Sequence, residues 1–158
     1  MSMEQILSIV KDFDGVLVLA PQPGSDVPEV AWGDAFFYYA PDGQVPQNIQ
    51  PYGTIVTKDY PDDTASRLGP AGAEPDRWRV NIHVGRRAFE RLTGEAPSEL
   101  TRTRDFAAVD EIIPHPVYGP LGWVAVVNPG ERTMGTVIEL LREGHEAARI
   151  RYERRREP

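Results

Sequence analysis

Residues 78–84, Trp78-Arg79-Val80-Asn81-Ile82-His83-Val84, alternate apolar and polar side chains. A period of two belongs to a strand with one face in a core and the other in polar surroundings. Val80, Ile82 and Val84 are expected inside, and Arg79, Asn81 and His83 on the opposite face. Downstream, Gly85 leads into a short helix carrying Phe89 and Leu92, which Gly94 is placed to stop. Upstream, TIVTKD (54–59) is a β-branched strand candidate bounded by Gly53 and Pro61. Between these strands, residues 61–76 are polar and rich in proline and glycine, and they read as a mobile loop.

Further out, GVLVLA (15–20) reads as a buried strand and PQPGSDVP (21–28) as a turn region that no helix crosses. A second strand is expected from near Glu29, running through the aromatic stretch AWGDAFFYYA (31–40) and breaking at Pro41-Asp42-Gly43. On the other side, a short helix after Asp105 is expected to turn Phe106, Val109 and Ile113 inward until Pro114. WVAVV (123–127) is apolar throughout and reads as a central strand. Asn128-Pro129-Gly130-Glu131 has the pattern of an N-cap, a first-turn proline and a capping-box acid. It opens a long helix whose stripe is Met134, Val137, Ile138, Leu141, His145, Ala148 and Tyr152, with Gly144 as a weak point. At the start, Ser2 and Gln5 fit a capping box for a helix bearing Ile6, Leu7, Ile9 and Val10, which Gly15 ends.

This order of elements does not alternate strand with helix. It predicts an α+β fold, a two-layer sandwich in which a single mainly antiparallel sheet has its helices packed on one face. The 158 residues form one domain, 1–158, with a basic helical tail at 149–158. A chain of this size buries roughly 68–70% of its unfolded surface, enough for a core without a staple.

The chain has no cysteine, which excludes thiolate catalysis, cysteine-based metal sites and disulfides. Its formal charge is −7, and the last ten residues carry five arginines and two glutamates, so the body is acidic and the tail basic. Nucleic acid is therefore not the expected partner. Residues 1–11 have neither a basic start nor a long apolar run, so a cytoplasmic protein without a membrane span is expected. Its oligomeric state reads as monomer or homodimer.

Asp12-Phe13-Asp14-Gly15-Val16-Leu17 resembles the first motif of haloacid-dehalogenase-type phosphatases, in which one aspartate attacks phosphorus and the next serves as acid and base. The resemblance stops there. Residues 21–84 are turns and strands rather than crossover helices, and Thr57, Lys58, Asp59, Asp62 and Asp63 crowd into seven positions instead of sitting on separate elements. The preferred reading of Asp14-Gly15 is a helix stop. No phosphate loop, zinc-protease, nucleophile-elbow or EF-hand pattern is present, and the three histidines are far apart, so no metal and no cofactor are expected.

The polar residues worth assembling are Asp34, Lys58, Asn81, His83, His115 and Tyr118, with Trp123 offering a surface for stacking. His83 and His115 are the candidate catalytic groups, since an imidazole titrates near neutrality. Asp34, Lys58, Asn81, Tyr118 and Trp123 are the candidate ligand-binding groups. Trp32, Phe36, Phe37, Tyr38, Tyr39 and Trp123 itself read first as core material, with a stacking pocket for a planar ligand as the second reading. His145, on an apolar stripe, reads as a satisfied boundary residue.

The segments AWGDAFFYY (31–39), TIVTKDYP (54–61), RVNIHVGRRAF (79–89) and HPVYGPLGWVAVVNPG (115–130) together resemble an uncharacterised bacterial domain-of-unknown-function family. The layout is also loosely similar to YjbR/MmcQ-like proteins, an α+β fold compared with DNA-binding modules. The resemblance implies no substrate and no catalytic residues. Three functions compete. The first is a small-molecule-binding domain with a polar-aromatic pocket; the second is a metal-independent isomerase, cyclase or hydrolase with a histidine base; the third is a nucleic-acid-binding module suggested by the YjbR-like layout.

Overall fold

The alternation of residues 79–83 forms a strand whose two faces meet different surroundings. The computed structural model describes residues 2–70 and 77–156. Its strands are β1 (Val16–Leu19), β2 (Ala35–Tyr39), β3 (Gly53–Val56), β4 (Arg79–His83), β5 (Ile113–Pro114) and β6 (Trp123–Val127). They form one open sheet in the order β1-β2-β3-β4-β6-β5, with every strand pairing antiparallel. Three helices complete the α+β fold: α1 (Met3–Lys11), α2 (Gly85–Thr93) and α3 (Met134–Arg156). None is long and apolar enough to cross a membrane, among the described residues.

Val80 and Ile82 face the helices. With Ala35, Phe37, Ile55, Val124 and Val126 they pack against Ile6 and Val10 of α1, Phe89 of α2, and Met134, Val137, Leu140 and Leu141 of α3 in one continuous cluster. Each such side chain contributes about 1.5–3 kcal/mol on burial, so this face carries most of the stability. The cross-strand partners Phe36, Thr54, Asn81 and Ala125 make a row on the opposite face, flanked by Val56, Arg79 and Val127. That second face is covered only in part. Leu68, from the 60–70 segment, packs on Val56 and Val127 at one end, with Tyr60 beside them.

Several local expectations hold. Ser2 and Gln5 make the reciprocal capping box of α1, and Gly94 ends α2 in the left-handed conformation. Others are corrected. β1 is a half-buried edge strand, and β6 lies next to the short edge strand β5 rather than at the centre. Residues 29–31 form a single 3₁₀ turn, and β2 starts only at Ala35.

The helix expected after Asp105 is absent. A turn closes from Asp105 to Ala108, and Asp110 then adopts φ +57°, which breaks a right-handed helix. Asn128 also lies at positive φ, so α3 starts at Met134 rather than at Pro129. Its lead-in is organised from a distance: Asp110 accepts hydrogen bonds from the backbone N–H of Gly130, Arg132 and Thr133 and from the Thr133 hydroxyl. Burial opposes ionisation of Asp110, but these donors outweigh it and hold the carboxyl at about 2.

Gly144 does not interrupt α3, because the helix lies so close to Tyr52 that a β-carbon there would sit 3.2 Å from the ring. His145, one residue on, is satisfied on both sides. Its Nε2 donates to the Asp14 carbonyl at 2.7 Å, and its Nδ1 lies 3.1 Å from the Tyr52 hydroxyl. Burial pushes its pKa down against the pull of the Asp14 carbonyl. Asp12 itself caps α1 and Asp14 is exposed, in line with a helix stop at this motif.

Candidate functional site

The uncovered face of the sheet holds a cavity of about 510 Å³, within the range of small-molecule sites. Its floor is the outward row of the sheet. Phe36 and Tyr38 come from β2, Thr54 and Val56 from β3, Arg79 and Asn81 from β4, and Trp123 from β6. One wall is the 60–63 turn, closed by hydrogen bonds in both directions between the Tyr60 and Asp63 backbones, which supplies Tyr60, Asp62 and Asp63. The other is the 115–121 loop, which supplies His115, Val117, Tyr118 and Leu121. Tyr118 is 48% and Leu121 67% exposed, so both sit at the rim.

Arg79 organises the floor. It is 1% exposed, and a guanidinium so buried must spend its donors on partners. Nε donates to Asn81 Oδ1 at 2.7 Å, Nη1 donates to Asp63 Oδ1 and to the Ser66 hydroxyl at 3.0 Å each, and Nη2 donates to Asp63 Oδ2 at 2.5 Å. Asn81 passes the network on by donating to the Thr54 hydroxyl at 3.0 Å. Burial resists ionisation of Asp63, yet the Arg79 guanidinium holds its carboxyl below the usual range.

His115 sits against this pair. Its Nδ1 accepts from the backbone N–H of Val117 and Tyr118 at 3.0 Å each, while its Nε2 lies 3.1 Å from Arg79 Nη2. An imidazolium needs acceptors at both nitrogens, and this ring meets donors at both. The Asp63 Oδ2 carboxylate oxygen lies 3.8 Å from Nε2, beyond hydrogen-bond distance. Burial and the Arg79 charge push its pKa down to about 3, against a smaller pull from Asp63, so the ring is neutral near pH 7. Its face lies 4.9 Å from that of Tyr118, centroid to centroid.

Of the residues nominated from sequence, Asn81, His115, Tyr118 and Trp123 come together around this cavity. Asp34 and Lys58 do not line it. They form a buried ion pair behind Tyr60, with Lys58 Nζ 2.8 Å from Asp34 Oδ1 and donating also to the Val30 and Trp32 carbonyls. Asp34 further accepts from the Thr57 N–H and hydroxyl and from the Tyr60 hydroxyl. Burial, followed by the Asp34 carboxylate, raises the Tyr60 pKa. Every polar atom of the pair is engaged, which makes it scaffolding.

The expectation that His83 shares a hollow with His115 is corrected. His83 ends β4 and lines a separate space of about 170 Å³ against Leu140, Glu143, Gly144 and Arg151 of α3. Burial and the Arg151 charge lower its pKa, against a hydrogen bond to the Leu121 carbonyl. Trp123 stands between the two sites, its ring 5.7 Å from that of His83.

Among the described residues, no group of three or more histidine, aspartate or glutamate side chains is arranged to hold a metal ion. The residues that sequence reasoning missed are Asp63 and Ser66, in the 61–76 segment read as a mobile loop, Tyr60 just before it, and Phe36 and Tyr38, read first as core. Residues 61–70 are ordered by contacts to the sheet, and 71–76 lie outside the described residues. Alternation along β2 offered a signal for the aromatics, since Phe37 and Tyr39 take the helix side.

A family model matches residues 1–157 of the chain, nearly its whole length, and is described as a family of unknown function, DUF6194. The chain belongs to the DUF6194 family. No curated protein and no solved structure matches it. The site of this DUF6194 member thus has to be read from its own side chains.

Proposed function

We propose that this DUF6194 protein binds a small organic molecule with a ring-bearing or planar body on the uncovered face of its sheet. One observation carries the reading: a cavity of about 510 Å³ lined by aromatic side chains together with a hydrogen-bonded polar network. Apolar walls with a few fixed polar groups are the usual build of a ligand site. Phe36, Tyr38 and Trp123 offer area for stacking, and Asn81 and Thr54 offer orientation.

A metabolite screen by thermal shift tests this, because a ligand that prefers the folded state raises the melting temperature. Hits should stabilise the wild type and lose their effect in the double variant Asn81→Leu, Tyr118→Ala. Hits that stabilise both proteins equally would place binding elsewhere and end the proposal.

The general-base alternative has less behind it. A base works best with a pKa near the working pH, whereas His115 is pushed down to about 3. The nucleic-acid alternative draws on the YjbR-like layout and the arginine tail, and within that tail Arg149 already pairs with Glu146 and Glu153.

A further inference from the structure

We infer that the ligand is an organic cation, an ammonium group carried on an apolar or aromatic body; this builds on the binding reading above and adds the sign of the charge. Among the described residues, the charged side chains that line the cavity are Asp62, Asp63 and Arg79. Arg79 and Asp63 cancel one another in a two-pronged pair; four of the five guanidinium N–H groups go to Asp63, Asn81 and Ser66, and the fifth is turned against His115 Nε2 rather than toward the chamber. An anionic ligand would have to prise Asp63 from Arg79 and push it toward Asp62.

Asp62 is the uncancelled charge. It is exposed and has no hydrogen-bond or ion-pair partner among the described residues. His115 adds no positive charge, because both of its nitrogens face donors. Lys58, 5.9 Å from the Tyr60 ring centroid, is neutralised by Asp34 behind that ring. Arg151 and Arg155 lie beyond Tyr38, in a hollow of only about 10 Å³. Among the described residues, one free carboxylate thus stands at the edge of a chamber lined by Phe36, Tyr38, Tyr118 and Trp123. Aromatic faces carry negative potential and attract cations, so walls and rim favour the same sign of ligand.

The test is an amide and indole NMR titration of the full chain with three probes of similar size: benzyltrimethylammonium, benzyl alcohol and phenylacetate. Benzyltrimethylammonium should shift the Trp123 indole and the amides of Asn81 and Tyr118, binding about fivefold or more tightly than benzyl alcohol, with phenylacetate weakest. Asp62→Asn, a change at an exposed rim position, should weaken the cation by about two- to fivefold, the scale of an exposed charge pair, and leave benzyl alcohol unchanged. Equal affinity for cation and alcohol, a preference for phenylacetate, or an unaltered cation affinity in Asp62→Asn would overturn the assignment of charge while leaving a binding cavity. Silence of these resonances toward all three probes would overturn both readings together.

Discussion

Arg79 of β4 and Asp63 of the 60–70 segment, sixteen residues apart in sequence, meet through two parallel hydrogen bonds of 3.0 and 2.5 Å. The pair ties the segment to the sheet and sets one wall of the cavity. Both charges are largely withdrawn from water, with side chains 1% and 12% exposed. Cutting such a pair on one side strands the other charge. Asp63→Ala should therefore destabilise the fold by about 3 kcal/mol, the low end of the range for a broken buried pair, as read from urea unfolding. The double variant Arg79→Met, Asp63→Leu should recover most of that loss. A loss below about 1 kcal/mol in Asp63→Ala would mean the pair is effectively solvated.

His115 makes stability depend on pH in a definite direction. Its pKa is lowered from the ordinary 6.5 to about 3 in the folded protein. The unfolded chain thus binds a proton that the folded chain refuses, and stability present above pH 6.5 is lost as the pH falls. At pH 5 the loss from this one group is about 2 kcal/mol. His83 and His145, also shifted down, add to it in the same sense. His115→Gln should lower stability at pH 7.5 and flatten the decline between pH 6.5 and 5 in denaturant titrations. An unchanged slope would show that His115 protonates freely in the folded state.

Lys58 and Asp34 belong to the scaffold rather than to the ligand. Lys58→Met leaves the Val30 and Trp32 carbonyls and one carboxylate oxygen without their ammonium donor. It should cost about 3 kcal/mol of stability and leave the affinity of any cavity ligand within about twofold, a difference of less than 1 kcal/mol. Paired unfolding and binding measurements separate the two effects. A tenfold loss of affinity with stability intact would return Lys58 to the binding site.

Asp110 organises the entry to α3 from twenty residues upstream of Gly130. Asp110→Ala removes the acceptor for four donors and leaves a β-carbon-bearing residue at φ +57°. A cost of about 2 kcal/mol is expected, the upper end for a lost cap. Asp110→Asn, which tolerates that φ and keeps one acceptor oxygen, should lose about half as much. Amide exchange at Met134 and Val137 should quicken in step; protection equal to wild type would show that α3 holds its first turn unaided.

The core was largely legible because burial follows local periodicity. The apolar side of 79–84 and the stripe of α3 through Leu141 and His145 are where alternation and helical spacing put them. The failures share a cause. At 105–113 the apolar spacing suited a helix, but Asp110 is held at positive φ by donors from residues 130–133, and no local pattern reveals a partner so distant. His83 shares a face with Asn81 yet ends its strand, so its ring is claimed by α3 and the Leu121 carbonyl.

The sequence alone determined that this DUF6194 chain builds an α+β sandwich with one apolar and one mixed sheet face, because both periods are written in consecutive side chains. Only the tertiary structure decided which polar residues meet. Ion pairs and hydrogen bonds form within about 3 Å between atoms whose residues lie as far apart in the chain as Asp14 and His145, 131 positions, and chain spacing carries no record of that closeness. For that reason Asp63 joined Arg79 at the cavity, while Lys58 turned away to Asp34.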